Sequence, residues 1–203
     1  MKLDFFILFL QSGAAALSVF IYNKYKTKFL FLLMLFLGVT AVTEVYANYV
    51  KSKGGSSLNY YHLYVFIAFF LVSLIYLNII KDRKKKKVFY FFGIGYILFW
   101  ITVFFRRELF SYLIIFGNLL VSIYILLYLR ELLLSDKILN YKKLPSFWVS
   151  VGFLIFYMSS IPFFTFYKYM IDRDLFFVLH VLIIIMNLFI IYGLTCSEKE
   201  VKY

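Results

Sequence analysis

Residues 59–80 (NYYHLYVFIAFFLVSLIYLNII), 81–87 (KDRKKKK) and 88–105 (VFYFFGIGYILFWITVFF) decide the fold. A helix rises about 1.5 Å per residue, so about 20 apolar residues cross the hydrocarbon of a bilayer. Each apolar run is near that length and shows no strand-like alternation of polar and apolar side chains. This stretch therefore predicts two transmembrane helices joined by a basic turn.

Apolar runs of this kind continue in both directions along the chain. Apolar residues make up 64% of the 203 residues, more than the interior of a soluble domain of this size can bury. We predict an all-α, polytopic membrane protein that forms one transmembrane domain over residues 1–203, a bundle of seven helices. The predicted spans are approximately 3–22, 29–50, 59–80, 88–105, 109–134, 147–170 and 175–196.

The basic residues are divided unequally between the two sides of the membrane that these spans define. One side, with the first, third and fifth loops and the C-terminal tail, carries 15 of the 22 Lys and Arg residues. Cytoplasmic loops are enriched in Lys and Arg. We therefore predict that the N-terminus lies outside, that the C-terminus lies in the cytoplasm, and that the protein is multi-pass in the bacterial inner membrane.

The net charge of +12 is the first property that bears on partners. The positive charge lies in short stretches between apolar runs, which favours anionic lipid headgroups as the partner and makes nucleic acid an unlikely one. The chain has one cysteine, Cys196, and two histidines. It also lacks a phosphate-binding loop, a nucleophile elbow and a His-Glu-x-x-His motif. We therefore expect that the protein is not an enzyme, that it binds no cofactor and that it has no metal site.

Polar residues inside the spans are the candidates for function, because ionisable groups in a membrane are costly. Glu44 and Asn48 share one face of the second span, His62 opens the third, Asn118 lies in the fifth and His180 in the seventh. In the predicted topology all five lie in the outer half of the bilayer. They predict an outward-facing polar pocket centred on Glu44, with His62 or His180 as its partner.

A structural role is the alternative for the same residues. Asn48 or a neighbouring helix would satisfy Glu44, and the carboxylate would then only hold helices together. The small residues Ser12-Gly13-Ala14-Ala15-Ala16 of the first span, with Gly93 and Gly95 of the fourth, indicate close helix packing. That packing fits either one bundle or a homo-oligomer.

The cytoplasmic side carries a basic patch, defined here as Arg83, Lys84, Lys85, Lys86 and Lys87. Such juxtamembrane clusters bind anionic headgroups or set topology. The other interpretation is a docking site for an acidic cytoplasmic protein.

Glu44 lies late in the second span, and Asn59-Tyr60-Tyr61-His62-Leu63-Tyr64 opens the third. The sixth span begins Pro145-Ser146-Phe147-Trp148 and continues through Gly152 and Ile155-Phe156-Tyr157, and the seventh carries Asn187 and Cys196. These segments resemble those of a family of small, largely uncharacterised bacterial seven-helix membrane proteins. The resemblance implies a sensory or regulatory role, because some members accompany sensor kinases. The composition is also similar to that of membrane accessory proteins of RNA-targeting CRISPR systems.

Two functional hypotheses follow. The first is a non-enzymatic receptor or regulator that signals to a cytoplasmic partner through its basic inner loops. The second is an oligomeric pore-forming or membrane-perturbing accessory effector in anti-phage defence of the CRISPR type. An intramembrane enzyme or a transporter is less favoured, since one glutamate and two histidines supply few convergent groups and no paired repeats appear.

Overall fold

The computed structural model describes residues 2–166 and 176–200, and within these ranges it is helical with no strand. Each of its seven long helices contains a stretch long and apolar enough to cross a membrane. This finding confirms the predicted all-α, seven-helix architecture, whereas the orientation stays a prediction. The helices are α1 (Lys2–Tyr25), α2 (Lys28–Ser52), α3 (Leu58–Ile79), α4 (Arg83–Phe105), α5 (Phe110–Leu133), α6 (Pro145–Phe166) and α7 (Phe176–Glu200).

The helix boundaries differ most from the prediction at the start of α4. The apolar run begins at residue 88, but the helix begins at Arg83 because the Asp82 carboxylate accepts a hydrogen bond from the Lys84 backbone N–H at 2.8 Å. This cap draws the basic patch into the first turns of α4. The predicted ends at residues 170 and 175 lie outside the described residues.

Short connections hold sequential helices antiparallel. Before α2, the Thr27 hydroxyl caps the helix by accepting from the Leu30 backbone N–H at 3.3 Å. Between α2 and α3, Gly54 adopts a positive φ of 75°, a conformation that glycine adopts without strain. Two 3₁₀ helices complete the connections, Arg107–Leu109 before α5 and Asp136–Lys143 before α6.

Six of the helices form a closed ring in the order α1, α2, α3, α5, α6, α7, with α7 packing against α1. Helix α4 lies outside the ring, against α3 and α5. Only 17% of its apolar window is buried, compared with 44% for α5. Most of α4 therefore lies on the outer surface of the bundle, with exposed side chains such as Phe91 and Phe105.

The ring is densely filled at the end where α3 stops and α4 starts, which we call the basic end. Phe89 and Tyr124 stack with centroids 3.8 Å apart. The buried Tyr76 hydroxyl donates to Ser150 Oγ at 3.0 Å, which ties α3 to α6. Close approach between α6 and α7 depends on Gly152, where an added Cβ would lie 2.7 Å from Phe189 Cβ.

Candidate functional site

A cavity of about 520 Å³ occupies the opposite half of the bundle, which we call the cavity end, and all seven helices contribute to its walls. Four of the five residues predicted to form a polar pocket line it, namely Glu44, Asn48, Asn118 and His180. His62, the fifth, is not among the lining residues. Helices that are distant in sequence thus bring most of the predicted residues to one concave surface.

A hydrogen bond joins Glu44 to α3. Its Oε2 accepts a hydrogen bond from the Tyr61 hydroxyl at 3.1 Å. Asn48 donates to the Glu44 backbone oxygen at 3.0 Å, not to the carboxylate. One turn farther into the bundle, the Thr40 and Tyr64 hydroxyls lie 3.1 Å apart. The lining residues of α2 and α3 are therefore held in place by a short polar seam.

The lining residues lie in two layers and do not share a single depth. Glu44 meets Tyr61, which is three residues from the start of α3. Asn118 lies eight residues from the start of α5, and its Nδ2 donates to Ser160 Oγ at 2.9 Å. A difference of five residues corresponds to about 8 Å along a helix. Glu44 is thus nearer the mouth, and Asn118 nearer the floor.

His180 belongs to the floor layer. The rings of Phe163 on α6 and Phe176 on α7 are 5.4 Å apart, which sets the register of these antiparallel helices. His180, four residues after Phe176, then lies opposite position 159, beside Ser160. By this register His180 lies deeper in the cavity than Glu44, whose carboxylate accepts the Tyr61 hydroxyl.

The His62 side chain on α3 packs against the neighbouring helices α4 and α5. Its ring centroid is 5.2 Å from that of Trp100 and 5.5 Å from that of Phe110. Its backbone oxygen accepts a hydrogen bond from the Trp100 indole N–H at 3.4 Å. Because successive helical residues point about 100° apart, Tyr61 faces α2 while His62 faces α4. The structure therefore separates His62 from Glu44.

Gln11 and Tyr96 are among the polar residues of the cavity wall that sequence reasoning missed. Gln11 is 5% exposed and Tyr96 is fully buried. Gln11 Oε1 and the Tyr96 hydroxyl have no hydrogen-bond partner among the described residues. Tyr96 also packs on Gly117, where an added Cβ would lie 3.0 Å from the ring. Gln11 could have been noticed as a polar residue inside the first span, but nothing distinguishes Tyr96 from the other 18 tyrosines.

The basic patch is fixed to α5 at the opposite end of the bundle. Lys85 Nζ lies 2.9 Å from Glu131 Oε2, and the Lys81 backbone N–H donates to Glu131 Oε1 at 2.9 Å. Arg83, Lys84 and Lys87 are exposed. Glu131, which the sequence analysis did not single out, therefore holds the start of α4 against the end of α5.

Within the part of the chain that the structure describes, no three His, Cys, Asp or Glu side chains come together to hold a metal ion. Some polar groups of the cavity form hydrogen-bonded pairs between helices, such as Tyr61 with Glu44 and Asn118 with Ser160. No family model, curated protein or solved structure matches the chain.

Proposed function

We propose that the protein is a non-enzymatic sensory or regulatory protein of the bacterial inner membrane. It binds a small ligand in the cavity and signals to a cytoplasmic partner through the basic patch. The observation that carries this proposal is the convergence of Glu44, Asn48, Asn118 and His180 on one cavity. Its volume of about 520 Å³ lies within the range of small-molecule sites.

Helix α5 offers a route between the two ends of the molecule. It carries Asn118 in the wall of the cavity and Glu131 at the basic end. These residues are 13 positions apart, which is about 20 Å along a helix. A ligand that shifts α5 would also shift the point at which Lys85 is held. In the predicted orientation, a stimulus outside the cell would thereby reach a cytoplasmic surface.

Anionic lipid and an acidic cytoplasmic protein are the partners that suit the exposed cations of the basic patch. The exposed Leu133, Leu134 and Leu139 lie beside this surface and are apolar enough to enter the headgroup region. Lipid would then hold the basic end at the membrane, while the remaining cations stay accessible to a protein.

A second candidate is the oligomeric pore-forming or membrane-perturbing effector of anti-phage defence. Gly13, Gly93 and Gly95 support it, because an added Cβ at each would meet nothing within 4 Å. Such open glycines allow close approach of a second copy. A path through one chain is disfavoured by the filled basic end, where Tyr76 and Tyr124 are fully buried. Conduction would therefore need a path between copies.

Complementation of a deletion strain tests the receptor proposal, with the transcription profile as the measurement. Glu44→Gln should fail to restore the wild-type profile, whereas Glu108→Gln should restore it. Glu108 is a matched control because it is exposed and does not line the cavity, although it lies at the same end of the bundle.

The signal to the cytoplasmic partner is tested separately, with Lys84, Lys86 and Lys87 replaced together by alanine. Lys85 is retained so that its ion pair with Glu131 stays in place. This triple variant should fold and insert but lose the response. Full restoration by both Glu44→Gln and the triple variant would contradict the proposal. Dye leakage from vesicles that contain purified oligomer would favour the pore instead.

A further inference from the structure

The mouth of the cavity has the chemistry of a carboxylate beside aromatic rings. Glu44 accepts the Tyr61 hydroxyl at 3.1 Å, and both residues line the cavity. A carboxylate only accepts hydrogen bonds, so a ligand group that approaches it has to be a donor or a cation. Glu44 is also the one acidic residue among the described lining residues.

Aromatic side chains are enriched in the rest of the wall. Ten of the 26 described lining residues are Phe or Tyr, a larger share than the 24% aromatic content of the chain. The faces of such rings attract cations, and cages of this type bind quaternary ammonium groups.

An ammonium group of the protein itself already occupies this environment. Lys51 lines the mouth, and its Nζ lies 5.7 Å from the centroid of the Tyr61 ring. Lys51 is exposed and its side chain is long and flexible, so it can withdraw toward the membrane surface. Its position shows that the Tyr61 ring beside Glu44 accommodates a positive charge.

A buried acceptor lies at the same level as Glu44. The rings of Tyr22 and Phe31 are 5.5 Å apart, which sets the register of the antiparallel helices α1 and α2. Gln11, eleven residues before Tyr22, then lies opposite position 42, two residues from Glu44. Gln11 Oε1 has no partner among the described residues. This layer thus combines a carboxylate with a carbonyl acceptor, which favours a ligand that donates hydrogen bonds or carries positive charge.

We infer that the cavity selects an organic ammonium compound, with the charged nitrogen between Glu44 and the Tyr61 ring and the apolar body among the aromatic rings of the wall. This inference deepens the proposed function and depends on it, since it names the class of ligand that the cavity binds. The ammonium group belongs either to a soluble amine or to a lipid headgroup, and both present the same chemistry to Glu44.

Calorimetric titration of the full chain in lipid nanodiscs tests the ligand class with three probes of similar shape. Benzyltrimethylammonium carries the cation, neopentylbenzene replaces the charged nitrogen by carbon, and phenylacetate carries an anion. The cation should bind at least tenfold more tightly than either of the others. Glu44→Gln should weaken cation binding at least tenfold, whereas the control Glu108→Gln should not change it.

Lys51→Gln provides an independent variant that does not remove the carboxylate. If Lys51 competes for the Tyr61 ring, this substitution should tighten cation binding several-fold and leave neopentylbenzene unchanged. Weaker cation binding in Lys51→Gln would contradict the inference. Nanodiscs of phosphatidylglycerol, with and without added phosphatidylethanolamine, distinguish the sources. Phosphatidylglycerol carries no ammonium group, so a headgroup that occupies the site would weaken probe binding only where phosphatidylethanolamine is present.

The outcomes separate this inference from the proposed function. Equal binding of the neutral or anionic probe would overturn the ammonium class, while ligand binding by the cavity would stand. Binding of none of the three probes, in either type of nanodisc, would overturn both. Cation binding that Glu44→Gln leaves intact would show that the carboxylate does not select the ligand.

Discussion

The two halves of the bundle are built from similar residues but are packed differently. At the basic end, Phe36 and Phe153 meet edge to face at 5.2 Å, and the Tyr76 hydroxyl is satisfied by Ser150. At the cavity end, a comparable set of aromatic rings surrounds about 520 Å³ of open space. Buried hydroxyls without a partner among the described residues occur in both halves, at Tyr96 and at Tyr124, so the halves differ in open volume. Dense packing supports stability, whereas an open interior can admit a ligand.

The largest loss of stability should come from Phe153→Ala at the basic end. Phe153 is fully buried, so its truncation leaves a cavity that its neighbours cannot fill, and we expect a loss of about 3–5 kcal/mol. Phe164→Ala, in the half-buried wall of the cavity, should cost at most about 1 kcal/mol. Unfolding in mixed detergent micelles measures both. Equal losses would show that the halves do not differ in packing.

A matched pair on α3 sharpens the comparison. Ala68 lines the cavity and Val72, one turn later, is fully buried in the packed half. Val72→Leu should destabilise by about 1–3 kcal/mol through overpacking. Ala68→Leu enters open space and should leave stability within about 0.5 kcal/mol, although it adds more atoms. The same unfolding assay applies, and a larger cost for Ala68→Leu would contradict the prediction.

Removal of a hydrogen bond at the basic end should cause a smaller loss of stability. Ser150→Ala leaves the buried Tyr76 hydroxyl without its partner, and we expect a loss of about 1–2 kcal/mol. Ser111→Ala, at a half-buried position in the cavity wall, should cost less than about 0.5 kcal/mol. Thermal unfolding in detergent compares them, and a neutral Ser150→Ala would show that the hydrogen bond contributes little.

The smallest effect concerns the attachment of the basic patch. A double-mutant cycle with Lys85→Ala and Glu131→Gln should give a coupling of about 0.5 kcal/mol, because this ion pair is partly exposed to solvent. Lys84→Ala paired with Glu131→Gln should give none, since Lys84 is exposed and its ammonium forms no ion pair with Glu131 in the described residues. Coupling of equal size in both cycles would show that Glu131 responds to the overall positive charge of the basic patch and not specifically to Lys85.

Much of the architecture was predictable from the sequence, because hydropathy and length set the number of spans. The start of α4 was not, since the Asp82 cap extends the helix through residues that hydropathy assigns to a loop. The position of α4 outside the ring was also unpredictable. Lipid and neighbouring helices are both apolar. The composition of an apolar helix therefore does not tell which of its sides faces lipid and which faces the other helices.

The candidate site was predictable in part. A polar or ionisable residue in a span is conspicuous, and Glu44, Asn118 and His180 were singled out in this way. The contact between Glu44 and Tyr61 was missed because the register of α2 against α3 depends on their connection, and one residue on α3 decides whether Tyr61 or His62 faces Glu44. Glu131 was missed because it lies 46 residues from Lys85, and no local pattern links them.

Contact between α1 and α7 closes the ring around the cavity. Helices leave the ribosome in chain order, so α1 is made first and meets α7 only after the five helices between them. A chain cut short before α7 would therefore lack the wall of the cavity that carries His180.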